Sequence, residues 1–335
     1  MIGIVLAGWG LLIIWGARIR TRNFEQVMTM KQVTVLKGIC ATEIVLGHIG
    51  FITESPVLFA NRKAGILFVG MFLFLSGYGL MWSKEHKRDY LNHFIMRKAL
   101  HILGPAYIIY SLFQIMECCV SGNMQYLLYL VDIRHFAVSN NWFVWEILGL
   151  YILFGIFYRY WTQQKANILL GAAILLFVGC AYALKMENPW YGSTCCFILG
   201  IFYYQKKEKI TPIYEKHLLK IMSFGTILMV FCFGLFFGLG NDSIIGNPIA
   251  RNGAACLFCV ITIGMLHKIT IGNKLSLLLG NLSYEIYLVH PYLLGFLKSK
   301  IHSLTVYAVA VMCLTIVMAC IITIPKNIYK RTKRN

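Results

Sequence analysis

TVLKGICATEIVLGHIGF, residues 34–51, is apolar enough to cross a membrane as a helix, yet it carries Lys37, Glu43 and His48. Ionisable side chains are costly in hydrocarbon and persist mainly where they face a polar interior. Lys37 and His48 are eleven residues apart. At 3.6 residues per turn that is three turns and about 20°, so both project from one face, about 16 Å apart along the axis. A cation near one membrane surface and an imidazole deep in the bilayer, on one line, point to a channel for a long ligand. Glu43 lies about 140° round from His48 on the same wheel, and it is expected to pair with a neighbouring helix.

The rest of the chain suits that setting. Hydrophobic residues make up 59% of the 335 and charged residues only 13%, where soluble domains carry about 25%. The fold class is therefore all-α, a polytopic bundle of transmembrane helices. Eleven apolar runs are expected to span, near 2–17, 33–52, 64–82, 99–119, 142–158, 166–184, 190–204, 218–239, 252–267, 276–297 and 303–324. Most approach the ~20 residues a crossing helix needs. The first run lacks a basic segment before it and a small-residue cleavage site after it, so it reads as a short span and not as a signal peptide.

The net charge of +18 does not indicate nucleic acid, because the basic residues fall in clusters between apolar runs and no basic-aromatic nucleic-acid module is present. Placing residues 18–37 in the cytoplasm puts five Lys and Arg there. Five more follow in 84–98, two in 159–165, five in 206–220, two in 268–274 and five in 326–334. That is 24 of 31, leaving seven for the other face. Such a bias sets membrane orientation, so the expectation is a multi-pass cell-membrane protein with its N-terminus outside and its C-terminus inside. Segments 83–98 and 205–217 become inner loops, while 120–141 and 240–251 become outer ones. The chain divides into an extra N-terminal helix with basic linker (1–30), a core domain (31–325) and a basic cytoplasmic tail (326–335). The eleven cysteines lie mostly inside apolar runs, as small hydrophobes do, and the pairs 118–119 and 195–196 lack zinc-ligand spacing. No metal is expected.

Four further stretches carry polar chemistry. YLNHFIMRKALHILGPAY (90–107) gathers Arg97, Lys98 and His101 at the cytoplasmic start of a span. Such a cluster can bind phosphate or simply snorkel to headgroups. GILFVGMFLFLSGYGLMWS (65–83) offers Ser76 either to helix packing or to the lining of a site. Gly65, Gly70, Gly77 and Gly79 suit close helix approach. NNWFVWEILGLY (140–151) starts at the outer face with Trp142 and Trp145 as interfacial aromatics and Glu146 just inside. LGNLSYEIYLVHPYLL (279–294) holds Tyr284, Glu285 and His290. Its histidine suits either a hydrogen bond across a helix interface or a direct catalytic role.

Together these stretches resemble the membrane-bound acyltransferase family 3. The matching marks are Lys37 with His48 after ten intervening residues, FLFLSGYGL (72–80), and Arg97, Lys98 and His101 before Pro105. Trp142-Phe143 and the run Ser283–Pro291 complete the set. The likeness covers about 31–325 and leaves the 2–17 helix outside a ten-helix core. Two positions depart from the family pattern. His101 replaces a second arginine, and Thr34 stands where an acidic residue is usual.

The resemblance implies O-acyl transfer, acetyl by default, from cytoplasmic acyl-CoA to a hydroxyl of an extracytoplasmic or lipid-linked glycan. Acyl-CoA is then a co-substrate, and no cofactor is held permanently. Lys37, Arg97, Lys98 and His101 are the expected donor-binding cations. His48 is the expected general base, since a neutral imidazole can take the proton of an attacking hydroxyl. Glu43 is grouped with it as catalytic, with Glu146 and Glu285 as the other carboxylates available to orient it. Ser76, Trp142, Glu146, Tyr284, Glu285 and His290 are candidate lining residues. A different class, a transporter or flippase for a glycolipid or small solute, also uses intramembrane His and Glu. The chain shows neither the inverted repeat nor the paired broken helices such proteins often have.

Overall fold

The computed structural model describes residues 2–20, 27–138 and 142–332, the last eight by backbone alone. Part of the expected basic linker (21–26), residues 139–141 of the expected outer loop and the end of the expected tail (333–335) lie outside the described residues. The helices are α1 Ile2–Ile14, α2 Met30–Thr53, α3 Phe59–His86, α4 Phe94–Ser121, α5 Gln125–Leu128, α6 Ile133–Val138 and α7 Trp142–Tyr160. They continue as α8 Gln163–Ala183, α9 Cys195–Leu239, α10 Ala250–Lys268, α11 Lys274–Asn281, α12 Ser283–Lys298 and α13 Leu304–Thr332. Two two-residue strands, β1 Arg18–Ile19 and β2 Ile269–Thr270, form one antiparallel pair.

Among the described residues, eight helical stretches are long and apolar enough to cross a membrane. Three differences separate these from the eleven expected runs. First, the runs expected at 190–204 and 218–239 are two helical arms that follow one another without a loop as α9, from Cys195, across a kink at His217 (φ −125°, ψ 20°) five residues after Pro212. The expected loop at 205–217 is therefore helical. Its lysines and glutamates are good helix formers, and solvent accepts them as readily on a helix as on a loop. Second, the expected 276–297 run breaks at Leu282 into α11 and α12. At the break Gly280 meets the Thr34 carbonyl so closely that a β-carbon would sit 1.8 Å from it. Third, α1 has only thirteen residues, about 20 Å at 1.5 Å per residue, short of the ~30 Å hydrocarbon core.

Helix α2 is the central post. Thr29 caps it by accepting from the Gln32 amide at 3.2 Å, which satisfies one of the orphan N–H groups of the first turn. It packs against α3, α11, α12 and α13, while α3 packs against α9 and α10. The α3–α9 crossing is backbone to backbone: a β-carbon on Gly77 would sit 2.1 Å from the Phe197 carbonyl. Gly70 is likewise crowded, whereas Gly65 and Gly79 face open space and play no such part. Outward faces remain apolar, with Leu219, Phe224, Ile227, Val230 and Phe231 exposed along the second arm of α9. A helix can keep such a face only against lipid or a partner, and the number of apolar spans favours lipid.

The N-terminal helix is fastened to the core. Asn273, which also caps α11, donates from Nδ2 to the carbonyls of Leu12 (2.6 Å) and Trp15 (3.0 Å). The β1–β2 pair lies beside this contact. All eleven cysteines are free.

Candidate functional site

The centre of the site is a pair of histidines from two helices. His48 Nδ1 lies 2.8 Å from His290 Nε2, and the two rings are nearly parallel at 16°. His290 is 1% exposed, and its Nδ1 is 3.2 Å from the Ile286 carbonyl one turn earlier. With both rings neutral, these contacts select one pair of tautomers. A carbonyl only accepts, so His290 Nδ1 carries its proton and His290 Nε2 is a lone pair. That lone pair must be met by a proton on His48 Nδ1. His48 Nε2 is left unprotonated, a basic nitrogen on the ring that lines a cavity.

Two cavities flank this region. One, termed inner after the orientation expected from the charge bias, is about 220 Å³ and is lined by Lys37, Ser76, Lys98, His101, Tyr151 and Tyr284 among others. The other, termed outer on the same expectation, is about 500 Å³ and is lined by His48, Trp142, Arg62, Lys63, Arg251 and Glu187 among others. Ile44, Val69 and Tyr287 line both, so a wall one side chain thick divides them. Lys37 and His48 of the one α2 face thus open on opposite sides of that wall. Tyr287 packs its ring 5.6 Å from His290 and 5.0 Å from Phe143.

The expected donor-binding residues divide. Lys37, Lys98 and His101 line the inner cavity, and Lys98 Nζ sits 5.2 Å from the Tyr151 ring. Arg97 does not line it. Its guanidinium donates to the Tyr90 carbonyl, rests over the Tyr90 ring at 5.3 Å and is exposed. Lys98 Nζ lies 5.9 Å from the same Tyr90 ring, so the two cations share it while only Lys98 reaches the cavity. Of the expected lining residues, Ser76 and Tyr284 reach the inner cavity, the latter with its hydroxyl donating to the Ile102 carbonyl at 2.7 Å. Trp142 reaches the outer cavity.

Two of the carboxylates have partners of their own. Glu43 accepts from Asn61 Nδ2 of α3 at 2.9 Å, the neighbouring-helix pairing its angle on α2 indicated. Glu146 is buried and accepts from Thr194 Oγ1 at 2.8 Å, with its other oxygen unpartnered. Glu285 is buried on α12. Neither lines a cavity. The group that holds His48 is His290.

Sequence reasoning missed Asn61, Tyr287 and the outer cations Arg62, Lys63 and Arg251. A signal for the cations existed: they are three of the seven basic residues left on the face opposite the Lys-rich loops. Tyr287 stands within the matching run Ser283–Pro291 without having been singled out, and no comparable signal marked Asn61.

Comparison with known proteins bears on this geometry. No curated protein and no solved structure matches the chain significantly. The family model Acyl_transf_3, described as an acyltransferase domain, matches residues 30–324, beginning at the first residue of α2 and ending within α13. The stretch includes both histidines, both cavities and the wall between them, and leaves α1 outside. The chain belongs to acyltransferase family 3 and is a membrane acyltransferase.

Proposed function

We propose that the protein moves an acyl group, acetyl by default, from cytoplasmic acyl-CoA to a hydroxyl of a cell-envelope or lipid-linked glycan. The observation that carries this reading is His48, held by His290, at the wall between a cationic inner cavity and a roomier outer one. Lys37, Lys98 and His101 would hold the phosphates of CoA, and the pantetheine arm would run along the α2 face towards Ile44, Val69 and Tyr287. The acceptor would enter from the outer side. Its hydroxyl oxygen attacks the thioester carbonyl as His48 Nε2 takes the hydroxyl proton. The tetrahedral intermediate then collapses, the C–S bond breaks, and the imidazolium returns the proton to the CoA sulfur. His290 keeps the His48 ring in the competent tautomer throughout.

In this reading residues 83–98, 205–217 and 325–335 face the cytoplasm and 120–141 faces outward, because 24 of 31 Lys and Arg fall on the first side. Acyl-CoA exists only inside, so direction and chemistry stand together. The test has two arms. Labelled acetyl-CoA given to the cytoplasmic face of membrane vesicles should deliver label to envelope glycan. Lys207→Cys and Ser121→Cys, in a background stripped of exposed thiols, should differ towards an impermeant maleimide in intact cells, with position 121 alone reacting. Reaction at 207 instead would put Lys37 on the side without acyl-CoA and end the proposal.

A further inference from the structure

We infer that the outer cavity recognises its acceptor through an anionic group, so that the acceptor is a sugar bearing a phosphate or a carboxylate. The inference rests on the transferase reading and narrows it. Arg62 and Lys63 from the start of α3 and Arg251 from the start of α10 line the same cavity as His48, facing one carboxylate, the exposed Glu187. Among the described residues none of the three cations is ion-paired. They rest on rings instead: Arg62 is 5.8 Å from the Phe51 centroid, Lys63 is 5.6 and 5.4 Å from Phe59 and Phe237, and Arg251 is 4.6 Å from Phe236.

Arg251 Nε is buried and has no hydrogen-bond partner among the described residues. A buried donor on a cation is costly unless a partner arrives, and an oxyanion is the partner a guanidinium fork fits. The charge count sharpens the point. Basic residues are disfavoured on this face of the membrane, only seven occur there, and three of them converge on one cavity. Snorkelling to headgroups would scatter them around the lipid-facing rim. Trp142 and the neighbouring phenylalanines supply a flat apolar wall beside His48, which suits the face of a sugar ring. An acceptor anchored by its anion on Arg251 and Arg62 would then present a hydroxyl towards His48 Nε2.

A phosphate could also come from a lipid headgroup, so the test separates the sources. The purified protein in phosphatidylcholine nanodiscs, which carry no net headgroup charge, is titrated with N-acetylglucosamine 1-phosphate, glucuronic acid and neutral N-acetylglucosamine. Binding is followed by tryptophan fluorescence. Either anionic sugar should bind about tenfold or more tighter than the neutral one, with the advantage falling as salt rises. Arg251→Gln and Arg62→Gln should abolish the advantage and leave CoA binding intact, while Arg251→Lys should keep part of it. Intact CoA binding also shows that the variants fold. Absence of any preference for the anionic sugars, with CoA still bound, overturns this inference alone. Absence of CoA binding by the unaltered protein overturns the transferase reading instead. If the preference is lost in phosphatidylglycerol nanodiscs of otherwise equal composition, a lipid headgroup occupies the cavity and the sugar assignment falls.

Discussion

The inner and outer cavities are both cationic, and in both a cation rests on aromatic faces, Lys98 at 5.2 Å from Tyr151 in the one and Arg251 at 4.6 Å from Phe236 in the other, yet they differ in size and in the rest of their lining. In the inner one Lys37 and Lys98 stand on the walls of a slot of about 220 Å³, among the hydroxyl-bearing side chains of Ser76, Tyr151, Ser283 and Tyr284. In the outer one the cations rest on aromatic faces around a chamber of about 500 Å³. A slot lined by donors suits a thin, flexible chain with phosphates at one end. A wide chamber with an aromatic wall suits a rigid ring. Under the proposed function the contrast would keep two substrates of different shape apart until they meet at His48, and substitutions can break it one side at a time.

The largest effect is expected at the meeting point. His48→Ala should lower acyl transfer by about 10²–10⁴-fold while CoA binding in detergent stays unchanged. A variant with near wild-type transfer in vesicles loaded with labelled acetyl-CoA would remove His48 as the base. His290→Ala should follow, at about 10²-fold, because it removes the acceptor that holds the His48 Nδ1 proton. A structural role alone would not be rescued by shape-preserving chemistry. His290→Gln, whose amide oxygen accepts as Nε2 does, should recover part of the rate, and failure to do so would reduce His290 to packing.

On the inner side, Lys37→Ala and Lys98→Ala should each weaken CoA binding by about 10–100-fold, the equivalent of one charge-assisted contact. Equal affinity in all three proteins would make the slot something other than a donor site. The smallest effect is expected at Arg97. Its guanidinium is exposed and already engaged by Tyr90, and exposed charges contribute about 0–1 kcal/mol. Arg97→Ala should therefore change CoA affinity by no more than about fivefold, and a loss matching that of Lys37→Ala would show that the donor reaches across Tyr90.

How much of this was legible in the sequence depends on the range of the interaction. The common face of Lys37 and His48 follows from helical periodicity alone, and so does the turn of Glu43 towards another helix, which Asn61 fulfils. Apolar runs located the spans because only backbone-satisfied helices survive in hydrocarbon. They did not locate helix ends, since the lysine-rich 206–220 segment continues α9 as readily as it would end it. The partner of His48 was out of reach for a different reason. His290 lies 242 residues away, and a carboxylate seemed the natural orienting group. What selects His290 is the packing of α12 against α2, and periodicity within either helix carries no information about that contact. Arg97 illustrates the reverse error: neighbours in sequence, Arg97 and Lys98 project about 100° apart on a helix, so only one of them reaches the slot.

Ile44, Val69 and Tyr287 have so far been the partition between two binding chambers. Under the proposed orientation they would equally be the place where the cell's electrochemical gradient is held. Two chambers opening towards opposite aqueous phases would amount to two half-channels, and a wall of two aliphatic side chains and one phenol ring would interrupt a water column through them. On the proposed route a thioester has to reach this point without protons or ions following. Trimming Ile44 or Val69 to glycine is then expected to be felt first as a leak of current across the bilayer.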